Sequence, residues 1–410
     1  MKTFFLFFVS LLLTATRVAG QSNYVFTNIG TADDASTSIT VSGDSVITTG
    51  SYTNINGVSC SNAGLYLNGV WSDYGIPPTV PNTGVFGYER IGNHEFQFGN
   101  FPDYIKERTD QDLNWDPINL SIDSTCWMIK KINDSLAFVS GDFTHANGLT
   151  VNHACIYNIY TGAVLQLPRA NGGYGLPDRA LSFNERNNDY VVTFNGHQLM
   201  NCVWLINKTT FALDSTTITG AEYAIQAATT DGEDIYVQDL QYVYKHTITG
   251  WTSVLKTEYC TQIAVRNNKF YACGAILNVD DSIPVQNFFI WDLTADTLIN
   301  GGNSSLPMLQ AMNVVNDSLI YLAGPEIYKV TLGSGTGITP VSKPDFVVFP
   351  NPCTTHLTIS NSTATYGIYN VSGQMVQSVT SNVIDMTQYD NGIYFLRDLK
   401  TGKTVKIIKE

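Results

Sequence analysis

Along most of this chain apolar and polar residues alternate in short runs broken by Asn, Asp, Gly and Ser, the period of half-buried strands joined by tight turns. Residues 126–168 show the pattern most fully. They predict strands over 127–133 and 136–140 about the turn Asn133, Asp134 and Ser135, then a long loop opening at Gly141, Asp142, Phe143 and Thr144. Strands over 154–160 and 163–167 follow, joined at Thr161 and Gly162. The unit is about 43 residues long and contains four strands.

The same frame lies without a gap on residues 50–71, where Tyr52 and Thr53 match Phe143 and Thr144, Asn56 and Gly57 match Asn147 and Gly148, and Ala63 and Tyr66 match Ala154 and Tyr157. It lies again on residues 274–291. The residue just past each predicted second strand is Gly50, Gly99, Gly141, Gly196, Asp239, Gly274 and Gly324, a mean step of about 46 residues. Repeats of this length built from four short strands indicate an all-β chain: a β-propeller of about seven four-stranded blades, six or eight being compatible, followed by a smaller β domain. The last blade runs into a Gly- and Ser-rich stretch with no fourth strand, so the unassigned strand at 24–29 is expected to close the ring.

A meander of this kind puts the first-to-second and third-to-fourth turns of every blade on one face, and these turns are short. The opposite face is predicted to carry the long segments 51–62, 100–119, 142–153, 169–179 and 275–286. Recognition usually resides in long loops on a rigid scaffold. Tyr104, Trp115, His145, His153, Arg169, Tyr174, Asp280 and Asp281 are the candidate ligand-binding side chains there, with loop anchoring as the bland role for Trp115. Trp127, Trp204 and Trp291, inside strands, are expected to pack between blades.

Composition fits this picture: 410 residues, 44% apolar and 14% charged, can build a sizeable core. Residues 1–20 combine Lys2, the apolar run 4–13 and small residues before Gln21, the pattern of a secretory signal peptide. No later stretch is long and apolar enough for a transmembrane helix. A net charge of −13 makes nucleic acid an improbable partner. The seven cysteines lack metal-site spacing; Cys260 and Cys273, flanking a hairpin turn, are the one pair considered for a bridge, against buried free thiols.

The propeller is expected over 21–332 and a linker over 333–344; residues 345–410 read as a small β-sandwich. The last segment carries Pro350, Asn351 and Pro352 after Phe349, then Ile-Tyr-Asn-Val-Ser-Gly-Gln-Met-Val around Gly373, then Asn-Gly-Ile-Tyr-Phe with Gly392 and Tyr394, and a terminal Lys-Ile-Ile-Lys from Lys406 to Lys409. This series resembles the type A C-terminal sorting domain of the type IX secretion system of the Bacteroidota. The resemblance implies passage through the periplasm, recognition of 345–410 by the secretion machinery, and release or lipopolysaccharide attachment at the outer membrane's external side. More loosely, Gly141–Gly148 is similar to kelch-like repeats of secreted bacterial propellers, which bears on fold alone.

Catalytic patterns dissolve on inspection. Gly43, Asp44 and Ser45 resemble the nucleophile block of GDSL-type esterases, but Asp134-Ser135 and Asp317-Ser318 occupy the same hairpin of other blades, so the pattern is a turn. His94 and Glu95 open a zinc motif that Phe98 fails to complete. Asp110, Asp112 and Asn114 are spaced like the start of a calcium loop, yet Trp115 stands where Gly is needed. No cofactor is expected. The sequence therefore points to a non-enzymatic surface or secreted module that binds an extracellular protein or glycan, the alternative being a glycan-active hydrolase or lyase with a composite site.

Overall fold

The computed structural model describes residues 24–76, 84–112, 114–170, 172–194, 202–281, 283–333, 348–360, 365–370, 374–400 and 404–410. The leader, Gly196, most of the linker and Gly373 lie outside them. The chain divides into two compact units, Met1–Gly333 and Ser334–Glu410.

In the first unit the described residues form seven four-stranded antiparallel meanders. The third blade runs Cys126–Lys131, Leu136–Gly141, Ala154–Asn158 and Val164–Gln166 from inside to outside. The seventh is completed from the other end of the chain: Tyr24–Thr31 pairs antiparallel with Glu326–Leu332, Tyr24 opposite Leu332 and Thr31 opposite Glu326. This closure satisfies an edge that the last blade alone would leave open.

The apolar core sits between neighbouring blades. Ile91, Phe96 and Phe98 of the second blade, for example, pack with Cys126, Ile129 and Val139 of the third. The repeating glycine has a steric cause. A Cβ on Gly50, Gly99, Gly141, Gly274 or Gly324 would collide with a carbonyl oxygen at or within three residues of the start of the same blade's inner strand: that of Ala35, Gly84, Thr125, Tyr259 and Met308 respectively. Only glycine permits so close a backbone approach.

One expectation needs correction, and one open alternative is decided. The segment 100–119 is not one long loop: it holds Ile105–Thr109 and Asp116–Pro117, the third and fourth strands of the second blade. Its charged strand Ile-Lys-Glu-Arg-Thr hides the apolar alternation, because Arg108 and Glu107 are matched by Glu95 and His94 on the neighbouring strand. Cys260 and Cys273 are free, as are the other five cysteines. Cys273 pairs in register with Gln262, which turns it into the cluster between the sixth and seventh blades, whereas Cys260 faces the fifth. Burial pushes the Cys273 thiol up to about 12, far from a reactive thiolate.

The second unit is a two-sheet sandwich. Val348–Phe349, His356–Ile359 and Val383–Asp385 make one sheet; Met375–Val379, Tyr366–Tyr369, Gly392–Asp398 and Thr404–Lys409 make the other. Leu357, Ile368, Leu396 and Ile407 are buried between them.

Candidate functional site

The inner strands share a second repeated feature. Their register slips by one residue near the start, at Thr37, Phe86, Trp127, Leu181 and Thr261 in five different blades. Such bulges re-aim a side chain. Here they fall at one end of the central channel, on the face that also carries the connections between blades.

At that mouth Phe86 and Trp127, from the second and third blades, stack with centroids 4.2 Å apart and planes 11° from parallel. The Arg179 guanidinium, entering the fourth blade, lies 4.0 Å from the Trp127 ring. Asp142 accepts a hydrogen bond from Trp127 Nε1 at 2.8 Å and pairs with Arg179 at 3.4 Å. Three blades are thereby joined. Leu181, Tyr259 and Met308, also near the inner-strand starts, are 38%, 37% and 42% exposed. Below lies a cavity of about 290 Å³ whose lining includes Thr37, Thr40, Ser182, Asn184, Gln226 and Gln310. From sequence alone Trp127 is expected to pack between blades, and Phe86 does not stand out. Their common place, about 13 or 14 residues ahead of a frame glycine, is the signal that could have found them.

The predicted ligand-binding residues are distributed differently. In the first, third and sixth blades the segment between second and third strands forms a small hairpin: Asn54–Ile55 with Val58–Ser59, His145–Ala146 with Leu149–Thr150, and Asn278–Val279 with Ile283–Pro284. Each is latched to the preceding connection by a carboxylate. Asp33 accepts the amides of Thr53 and Asn54, Asp123 those of Thr144 and His145, and Glu258 those of Leu277 and Asn278. Partial burial would raise the Asp123 carboxyl, but the hydrogen bonds from His145 and Thr144 outweigh it and hold it below the usual range. Phe143, Ala146 and Val151 of the third-blade hairpin are fully buried.

His145 therefore belongs to a latch, its ring 3.1 Å from Asp123. His153 adopts a left-handed backbone with φ 68° and places its ring Nδ1 3.1 Å from the Gly141 carbonyl. Asp280 and Asp281 form the turn of the sixth-blade hairpin, Asp281 pairing with Lys256 at 2.5 Å. Arg169 donates through Nε to the Gly175 carbonyl at 2.6 Å, and exposed Tyr174 accepts from Asn152 through its carbonyl. Tyr104 ends a tight turn with φ 60° and packs on the core between the second and third blades.

Trp115 falls on the other face, because it immediately precedes Asp116–Pro117, the fourth strand of its blade, and so lies at the junction from the third strand Ile105–Thr109. Arg108 lies 3.9 Å from the Tyr74 ring and 4.6 Å from Trp115, and donates to buried Glu95 at 2.7 Å. Trp115 thus anchors its turn. In the same turn both Asp110 oxygens face Arg90 Nη2 at 2.9 Å, and Asp112 accepts from Asn114, which leaves a poor oxygen set for calcium.

In the second unit the terminal motifs hold one another. Asn351, between Pro350 and Pro352, donates to the Lys406 carbonyl at 2.7 Å and accepts the Ile408 amide at 2.8 Å. Lys409 reaches the Asn391 side chain at 3.2 Å while its backbone pairs with Gly392. Tyr394 donates to the Asp390 carbonyl and packs edge-on against Tyr389. Residues 347–410 match the family model described as the secretion system C-terminal sorting domain.

The C-terminal unit is a type IX sorting domain. This sorting domain marks the chain as a protein secreted to the cell surface or extracellular space. Among solved structures the chain is similar to virginiamycin B lyase from Staphylococcus aureus, at 13% identity over 76% of this chain and 100% of that one, with a TM-score of 0.53. It is similar to YCF48 from Cyanidioschyzon merolae, at 10% identity over 75% and 98%, TM-score 0.55. PorZ, described as an essential surface component of the type IX secretion system of Porphyromonas gingivalis, matches at 12% identity over 92% of this chain and 60% of that one, TM-score 0.50. At these identities the likeness is of fold, and the fold is a β-propeller. A comparison with curated proteins finds no match. The folded sorting domain explains its own motifs: the Asn351 hydrogen bonds tie the first motif to the last.

Proposed function

We propose that this is a non-enzymatic binding or adhesion module that holds an extracellular protein or glycan on the connection face of its propeller. Its export would begin with residues 1–20 acting as signal peptide and end with residues 345–410 engaging the secretion machinery at the outer membrane of a member of the Bacteroidota. In this reading 21–332 is the working domain, a kelch-like propeller, and 333–344 the tether.

The observation that carries the reading is the pairing of a sorting domain with a propeller whose channel mouth keeps aromatic side chains partly exposed and rigidly stacked. Rigid aromatic groups beside neutral hydrogen-bonding groups suit recognition without needing turnover. Arg169 and Tyr174, near the same face, are candidates for its periphery.

Two measurements test it. Deletion of residues 345–410 should leave a folded propeller in the periplasm, and those residues fused to a reporter should carry it outside the cell. The purified mature protein, incubated with a panel of polysaccharides and proteins, should retain a ligand without releasing new reducing ends or unsaturated products. Product accumulating with time would establish a glycan-active hydrolase or lyase instead.

A further inference from the structure

We infer that the ligand is a neutral glycan and that it docks over the mouth of the central channel, with sugar rings against Phe86 and hydroxyls directed to the amides and hydroxyls below. The inference deepens the binding reading above and rests on it.

Three observations converge. The first is a fixed apolar platform. Trp127 has Phe86 on one side and Arg179 on the other, and its Nε1 is held by Asp142, so the indole is already ordered before any ligand arrives. Phe86 stands at the end of this stack and is partly exposed. A pre-ordered ring loses little conformational freedom when the apolar face of a sugar packs on it.

The second is charge. Arg179, the cation beside the platform, is already matched by Asp142, and the chain as a whole carries −13. An anionic polysaccharide would meet no surplus of positive potential there. A basic peptide is disfavoured for the complementary reason: Asp142 is engaged by both Trp127 and Arg179. Toward the trimmed face the charges are matched as well: Lys130, which lines the cavity, pairs with Glu89 at 3.1 Å, and Lys269 with Asp317 at 2.9 Å.

The third is the lining of the cavity. Thr37, Thr40, Ser182, Asn184, Gln226 and Gln310 come from four of the blades and are neutral, and the charged residue of the lining, Lys130, is paired with Glu89 at 3.1 Å. Hydroxyls and side-chain amides can each both donate and accept, as sugar hydroxyls can. A volume of about 290 Å³ is at the small end of ligand sites, suited to the end of a chain.

The test uses the full mature chain and affinity electrophoresis in gels containing laminarin or mannan as neutral probes, alginate as the anionic probe, and titration with an oligoarginine peptide. Retardation by a neutral polysaccharide is expected. Phe86→Ala should weaken it about tenfold, the factor that roughly 1.4 kcal/mol of lost stacking represents, while the propeller stays folded by circular dichroism. Phe86→Trp should retain binding, and Lys131→Ala on the trimmed face should leave it intact. Undiminished binding by Phe86→Ala overturns the inference, as does the absence of retardation by every neutral probe. Preference for alginate or oligoarginine also overturns it while leaving a binding module standing. Release of reducing sugar from the probe would instead defeat the binding reading itself.

Discussion

The Asp123 carboxylate accepts the backbone amide of Thr144 at 2.8 Å, so a side chain in the connection before the third blade fixes the hairpin that follows the blade's second strand. Asp33 does the same for Thr53 and Glu258 for Leu277. Three blades therefore use one latch with two different acidic residues.

Asp123→Ala removes the acceptor of the Thr144 and His145 amides. It should lower stability by about 1–2 kcal/mol, a value kept small because the site is partly open to solvent. Denaturant unfolding measures the change. An equal loss for Asp134→Ala, which lies in a trimmed turn, would remove any special role from the latch.

Acid should loosen the same latches. Burial works to raise the Asp33 and Asp123 carboxyls, yet hydrogen bonds from Thr53 and Asn54, and from His145 and Thr144, leave both below the usual range. A carboxyl depressed in the folded state stabilises fully above its unfolded value near ~4, and that contribution is lost as pH falls toward the folded value. The denaturant midpoint should hold from neutrality to about pH 5 and decline below about pH 4, less steeply in Asp33→Asn with Asp123→Asn.

Gly141 and Gly148 separate two uses of glycine. An added Cβ at Gly141 meets the Thr125 carbonyl, whereas at Gly148, with φ +78°, it meets nothing within 4 Å. Gly141→Ala should cost about 3 kcal/mol or more and Gly148→Ala about 1 kcal/mol. Equal losses in thermal unfolding would contradict the close-approach explanation.

Removing residues 21–30 deletes most of the strand that closes the ring. The Tm of the mature protein should fall on the order of 10 °C, since the last blade then exposes an edge and Phe26 leaves its contact with Phe288. An unchanged Tm would mean that closure contributes little.

Asn351→Ala breaks the hydrogen bonds to Lys406 and Ile408 that tie the sorting domain's first motif to its last strand. A loss of about 2 kcal/mol from the domain is expected, together with less protein outside the cell by fractionation. Normal export would place the role of the Asn elsewhere than in this fold.

The sequence by itself determined the blade. Asn133 with Ser135, Asn147 with Gly148 and the frame glycines are local requirements of turns and of one close backbone approach, so they recur wherever the blade does. It also determined the sorting motifs, whose residues bond within a single small sandwich. Only the tertiary structure decided what faced what. Ile105–Thr109 was illegible as a strand because its Glu and Arg are matched by His94 and Glu95 on the neighbouring strand, and its Lys by Asp103 in the turn before it. Trp115 moved to the opposite face once that strand existed. Phe86, Trp127 and Arg179 lie in three successive blades, about 40 to 50 residues apart along the chain, and only the side-by-side packing of those blades brings them into one stack.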